Sequence, residues 1–292
     1  MVEQLTENTF YFNCYPTVGL VVTADGVIAI DGPMKPNDAI KWRDFISTKG
    51  PLRYQVVTEH HQDHIASAWY LKPETIISSE ITYAEFYKSI ATAEDAKDRM
   101  LKYDPDCTPL LEGFEMRPPD VTFKERMTIR LGGRTFHLIH APGHTRGETI
   151  VHAVEDRVAF VSDNLSTPEN SVAFHSADVW GWFQTLGMME ALEVDWFVPG
   201  HGDPCKKDAF QIQREKMLGI ISFVKELKNE GLTREEVQSR LEDSFMKKFN
   251  SPKLGARLAV LQKGGLGNIY DYLDDHPSGG LCNRMDPVWP NV

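Results

Sequence analysis

The chain has 292 residues, 41% of them hydrophobic and 25% charged, which supplies enough apolar material for a large core and excludes a disordered or tail-like protein. Its 31 basic and 42 acidic residues leave a formal net charge of -11, and with no basic stripe to neutralise phosphates, nucleic acid is not expected as a partner. No apolar run is long enough for a membrane span, and Met1 to Glu7 carries neither a basic nor an apolar leader segment, so no membrane association and a cytoplasmic location are expected.

In chain order, Phe10 to Cys14, Gly19 to Thr23 and Val27 to Ile30 read as strands, with Ala24-Asp25-Gly26 as the turn between the last two. A helix is expected around Pro36 to Ser47. The strand-like run Gln55 to Thr58 then opens into Glu59-His60-His61-Gln62-Asp63-His64, which packs five potential metal ligands into six residues. Imidazole and carboxylate together suit zinc, iron or manganese rather than magnesium or calcium, and a loop after a strand aims several such groups at one point. In an extended segment alternate residues share a face, so 59, 61 and 63 point together while 60 and 62 point away. That favours Glu59 over His60 as a ligand. The alternative for Glu59 is a backbone cap or an ion pair with Arg53. A helix follows His64 through Leu71.

Residues from about Glu80 to Pro118 interrupt the run from Ile76-Ile77 to the strand Val121 to Phe123. Tyr83, Phe86, Tyr87 and Ile90 recur there at helical spacing, so at least one amphipathic helix is expected, packing first and walling a pocket for an apolar or aromatic group second. Val151 to Ala153 and Val158 to Val161 read as short strands. The loops beside them carry His140-Ala141-Pro142-Gly143-His144-Thr145 and Ser162-Asp163-Asn164. The run Ser171 to His175 lies beyond, where His175 is a candidate to bind substrate or donate a proton and Asn164 a candidate to polarise a substrate oxygen. Trp196-Phe197-Val198 runs into Pro199-Gly200-His201-Gly202, so both Pro-Gly-His sites turn where backbone can approach an ion closely.

These motifs together resemble the metallo-β-lactamase superfamily. The family's first motif, H-x-H-x-D-H, appears as Glu59-x-His61-x-Asp63-His64, with Glu in place of the first His; Asp31 after a strand, His144 in P-G-H-T, Asp163 after a strand and His201 in P-G-H-G match the rest, over about residues 9 to 206. The resemblance implies an α/β fold, a four-layer αβ/βα sandwich with a helical C-terminal extension, and a metal-dependent hydrolase. One metal would be held by Glu59, His61 and His144, a second by Asp63, His64 and His201, with Asp163 bridging and Asp31 orienting a ligand by hydrogen bonding. Two such cations, roughly 3.5 to 4 Å apart, share a hydroxide as nucleophile, and a protonated Asp63 or the second metal assists the leaving group.

The expected reaction is cleavage of an ester, thioester, lactone or amide in a small molecule, with zinc as the first expectation for the two divalent ions. Glu59 makes a third ligand carboxylate and lowers the charge of the site by one, which argues for iron or manganese and keeps a non-haem di-iron redox enzyme of the same fold as the alternative. Asp163 counts against a true β-lactamase. The four cysteines, Cys14, Cys107, Cys205 and Cys282, form no C-x-x-C pair and fit reduced thiols, Cys205 being expected as a small buried residue.

The domain expectation is a core over 1–206 with the insertion 80–118, and a helical extension over 207–292 packed on it. Met217, Ile220, Ile221, Val224 and Leu227 mark one apolar helix face, Gly231 a stop, and Thr233 to Glu236 a capping box. Leu254 to Leu261 and Leu266 to Leu273 read as two more short helices. The extension is also where a homodimer interface is one option.

Overall fold

The computed structural model of the protein describes residues 1–88, 93–166, 172–240 and 256–276; Ile90, Ser171, Leu254 and Cys282 lie outside them. The chain forms two compact units. The first comprises Met1–Ala141, Gly147–Thr167 and Glu193–Lys206, the second Pro142–Arg146, Pro168–Leu192 and Lys207–Val292.

Two sheets make the first unit. Sheet A runs in spatial order through β1 (Val2–Gln4), β2 (Thr9–Phe12), β3 (Val18–Thr23), β4 (Gly26–Ile30), β5 (Leu52–Val56), β6 (Thr75–Ser79) and β7 (Val121–Phe123), antiparallel as far as β4 and parallel from there. The parallel strands need crossovers, which helices α1 (Pro36–Ser47), α2 (Gln62–Ile65), α3 (Ala68–Leu71), α4 (Glu80–Lys88) and α5 (Ala93–Tyr103) provide. Sheet B is β8 (Arg126–Leu131), β9 (Arg134–His140), β10 (Thr149–Ala153), β11 (Val158–Ser166) and β12 (Trp196–His201), antiparallel except for the parallel pair β11–β12.

The sheets face each other through a shared apolar core. Val21, Ile28, Ile30, Val56 and Ile77 of sheet A pack with Phe136, Leu138, Val151, Phe160 and Val198 of sheet B. The outer face of sheet A is equally apolar, as a strand covered on both sides must be: Phe10, Leu20, Val27 and Ala29 pack under Trp42 and Ile46 of α1 and Leu71 of α3. The insertion is fastened to the same helices, with Ala96 and Met100 of α5 against Ala39, Ala66 and Tyr70, and with Asp104 accepting both the backbone N–H and the side-chain amide of Asn37 at 2.9 and 2.8 Å.

Helices make the second unit: α6 (Val179–Ala191), α7 (Asp208–Asn229), α8 (Arg234–Ser239) and α9 (Ala256–Asp275). Asp178 caps α6 by accepting from the N–H of Gly181, the Thr233–Glu236 capping box starts α8, and Arg234 ties α8 to Asp271 of α9 at 2.9 Å. No helix among the described residues is long and apolar enough to cross a membrane.

Three elements differ from the sequence expectation. The helix after His64 is two short ones, α2 and α3, with a turn at Ala66-Ser67 between them. The two short C-terminal helices are one, α9, running through Gly264-Gly265. Bare glycine faces fit there because a Cβ at 265 would lie 3.1 Å from the Phe174 backbone nitrogen. Asp163 is not in a loop after a strand but inside β11, which bulges against β12 between Phe160 and Ser166 and puts Ser162 at a φ of 51°.

Candidate metal centre

The first unit brings six of the expected ligands together at the strand ends. Beyond β5 the chain leads through Glu59 to His61, whose own backbone is extended, and the two side chains meet, His61 Nδ1 lying 2.9 Å from the Glu59 carboxylate. Asp63 and His64 reach the site from the first turn of α2 instead, both buried. Asp163 enters from the bulge of β11 and His201 from the last residue of β12. The close approach of these two strands depends on Gly200, where a Cβ would sit 1.9 Å from Asp163 Oδ1.

Ligand atoms of Asp63, His64 and His201 all lie within 4.8 Å of one another, and so do those of Glu59, His61 and Asp163. Individual separations are 3.4 Å from His64 Nε2 to Glu59, 3.6 Å to Asp163, and 3.4 and 3.5 Å from His201 Nε2 to Asp63 and Asp163. These exceed the usual 2.7–3.2 Å of an N–H···O hydrogen bond. They match the roughly 3.4 Å between two atoms each held about 2.1 Å from a tetrahedral ion. His61 Nδ1 lies nearer to the Glu59 carboxylate, at 2.9 Å. Three buried or half-buried carboxylates facing imidazole nitrogens form a donor set that fits divalent cations.

Electrostatics follows from that crowding. Burial alone would lower the His201 imidazolium, but Asp163 and Asp63 hold it up to about 10. Burial likewise opposes a charged His64, and Asp31, Asp163 and Glu59 together raise it well above its ordinary value. Burial would raise Asp63, yet the His201 hydrogen bond and the Arg99 and histidine charges keep it well below the carboxylate range. That environment favours the carboxylate form of Asp63.

Beside this cluster, Asp31 is held in place and faces His64. Its carboxylate accepts the Thr58 N–H at 2.8 Å and the Thr58 hydroxyl at 2.6 Å, and it faces His64 Nδ1 at 2.9 Å. Arg53 bonds Glu74 at 2.7 Å and the carbonyl of Asp25, which removes it as the partner for Glu59. His60 and Cys205 join no group of converging ligand atoms among the described residues. Cys205 is half-buried, its sulfur 3.6 Å from the Phe197 carbonyl. Asn164 is buried in β11, and its side-chain amide donates to the Ala141 carbonyl at 2.8 Å, a tie between strands.

His144 and His175 belong to the second unit. Asp178 N–H and the Thr185 hydroxyl donate to the carbonyls of Gly143 and Pro142, which fixes the P-G-H-T turn on α6. Within it, His144 Nδ1 faces the Ala173 carbonyl at 3.1 Å, and its ring centroid lies 5.4 Å from that of His175 and 5.6 Å from Trp182.

Two residues had no signal in the sequence. Arg99, on α5 of the insertion, donates to Asp63 Oδ1 at 3.0 Å and to the Tyr15 hydroxyl at 3.2 Å. Tyr15 in turn lies against the His201 ring, centroids 5.1 Å apart, and stacks on Tyr103 at 5.3 Å.

A family model described as the metallo-beta-lactamase superfamily matches residues 12–201. No curated protein matches the sequence. Among solved structures, a metallo-beta-lactamase from Pontibacter korlensis superposes with a TM-score of 0.60 at 16% identity, over 75% of this chain and 98% of that one. The metallo-beta-lactamase IND-7 gives 0.59 at 16% identity, over 74% and 97%, and TMB-1 gives 0.55 at 19%, over 74% and 96%. At these identities the structures show the fold, and it is the two-sheet α/β architecture with added C-terminal helices.

Proposed function

The chain belongs to the metallo-β-lactamase superfamily, and from that membership we propose a dinuclear metallo-hydrolase that cleaves an ester, thioester, lactone or amide bond of a small molecule. The candidate ligand groups are those of a metal-dependent hydrolase. The observation supporting the dinuclear reading is the set of imidazole–carboxylate separations of 3.4 to 3.6 Å among His64, His201, Asp63 and Asp163, close to the spacing of two ligands on one cation. Asp63, His64 and His201 form one ligand set. Glu59 and His61 begin the other, to which the P-G-H-T motif assigns His144, and Asp163 faces ligand nitrogens of His64 and His201. When bound, the cations supply a hydroxide nucleophile at neutral pH and Lewis acidity for the substrate oxygen.

What the chain's own residues contribute is orientation and charge. Asp31 accepts the Nδ1 proton of His64, so Nε2 keeps its lone pair for a cation. Asp63 serves as an anionic ligand, leaving His175, half-buried beside His144, as the side chain proposed to protonate the leaving group. Zinc is the proposed metal. The test is metal quantification on protein purified without added metal, joined to a turnover screen across lactones, thioesters, amides and phosphodiesters. Two equivalents of zinc with turnover of an acyl substrate support the reading; less than half an equivalent, or phosphodiester turnover alone, removes it.

One observation favours a second reading. The Glu59 carboxylate faces both His61 at 2.9 Å and His64 at 3.4 Å, so a third carboxylate is shared among imidazoles, the oxygen-rich balance of non-haem iron sites. Two irons with a visible charge-transfer band in the purified protein would select this redox enzyme over the hydrolase.

A further inference from the structure

Each member of the Asp63, His64 and His201 set has an outer partner that fixes it. Asp31 holds His64, Tyr15 lies against His201, and Arg99 holds Asp63. Two of these partners are joined, since Arg99 also donates to the Tyr15 hydroxyl. Both long side chains are themselves anchored: Tyr15 stacks on Tyr103, and α5, which carries Arg99, is packed on α1 and α3 through Met100 and Ala96.

We propose that Arg99 is a positioning residue for metal binding, which occupies Asp63 Oδ1 and leaves only Oδ2 to face a cation and His201. The inference rests on the dinuclear reading above. The side chains of Arg99 and Asp63 are only 10% and 7% exposed, so water competes weakly for the pair. Geometry separates the two carboxylate oxygens: Oδ1 is 3.0 Å from the guanidinium and Oδ2 is 3.4 Å from His201 Nε2. With one lone pair of Oδ1 engaged by the guanidinium, Asp63 would present Oδ2 to a cation, which favours binding through that oxygen. The insertion is therefore part of the metal centre as well as packing material, and it supplies a cation beside a site that carries an additional carboxylate at position 59.

Pure charge and positioning predict opposite signs. A cation that merely repels metal would, on removal, tighten binding; a partner that aims a ligand would, on removal, weaken it. The experiment titrates metal-stripped protein with zinc, reading both equivalents by calorimetry and melting temperature by circular dichroism. In Arg99→Met, binding of one equivalent is expected to weaken at least about tenfold while the other stays within about threefold. Arg99→Lys, which keeps a donor for Asp63, is expected within about threefold of the parent at both equivalents. Lys97→Met removes a cation from the same helix, paired among the described residues with exposed Glu94, and is expected to leave both unchanged.

Tighter or unchanged binding in Arg99→Met overturns the proposal, as does equal weakening of both equivalents. Should Arg99→Met fail to melt cooperatively, Tyr15→Phe decides: it removes the hydroxyl that steadies the guanidinium, and unchanged binding there overturns the proposal. A parent that binds fewer than two equivalents sinks the dinuclear reading itself, whereas a parent that binds two with Arg99→Met indistinguishable sinks only the role of Arg99.

Discussion

His64 Nδ1 and Asp31 Oδ2 face each other across 2.9 Å, with both side chains shut off from water. Two donors of Thr58 already hold the carboxylate in place, so it accepts the imidazole N–H and fixes the tautomer. Asp31→Ala strands a buried N–H of Thr58 and frees the ring. The expected cost is about 1–3 kcal/mol of stability and about 10- to 100-fold in metal affinity. Chemical denaturation and a chelator-competition titration measure the two separately, and an unchanged metal affinity would show that His64 needs no such anchor.

Glu59 and His60 are neighbours with opposite expectations. Glu59 is fully buried beside ligand nitrogens, while His60 is half-buried outside every converging group among the described residues. Glu59→Ala is expected to lose at least one of the two metal equivalents and His60→Ala to keep both. Elemental analysis of the purified variants decides it, and the reverse pattern would make His60 the ligand.

Much of this clustering of side chains is legible in the sequence, for a physical reason. Glu59, His61, Asp63 and His64 follow the end of β5, Asp163 lies on β11 and His201 ends β12, and such junctions are visible as apolar runs broken by Gly, Pro and polar residues. Asp31 was legible for the same reason. Period-two alternation expects 59, 61 and 63 on one face and stops applying at 63, because α2 starts at Gln62 and helical geometry takes over. Arg99 was illegible: it lies 36 residues from Asp63 on a helix whose pattern reports only packing, and nothing local marks which of several cations on a helix turns inward. The bulge that carries Asp163 was also hidden, since Val158 to Val161 reads as a strand and Ser162-Asp163-Asn164 as the loop beside it, while the pairing with β12 continues the strand.

Position 200 tests the approach of β11 and β12. A methyl group at Gly200 would sit 1.9 Å from Asp163 Oδ1 and 3.0 Å from its backbone nitrogen, so the carboxylate or the strand must move. Gly200→Ala is expected to destabilise by about 1–3 kcal/mol, the usual cost of overpacking, and to reproduce the metal loss of Asp163→Ala, which should affect both equivalents. Metal content equal to the parent in Gly200→Ala would mean that Asp163 tolerates displacement and is not shared between two sites.

Acid and base should act in opposite ways on stripped and loaded protein. In the metal-free state His201 is raised from 6.5 to about 10 by Asp163 and Asp63 in spite of burial, and His64 is raised as well. A histidine whose folded pKa lies above its unfolded value contributes stability that is complete below about pH 6.5 and disappears as pH rises to about 10. Asp63 and Asp163 are depressed, so their contribution is present above about pH 4 and is lost in stronger acid. Stripped protein should therefore be most stable between about pH 4 and 6.5 and should melt at progressively lower temperature toward pH 10. Metal requires the same imidazoles deprotonated, so zinc-loaded protein should gain relative to stripped protein across that window. Melting curves with chelator and with zinc at matched pH read the difference directly. A stripped protein that grows more stable between pH 6.5 and 10 would mean that the histidines are not held charged by these carboxylates.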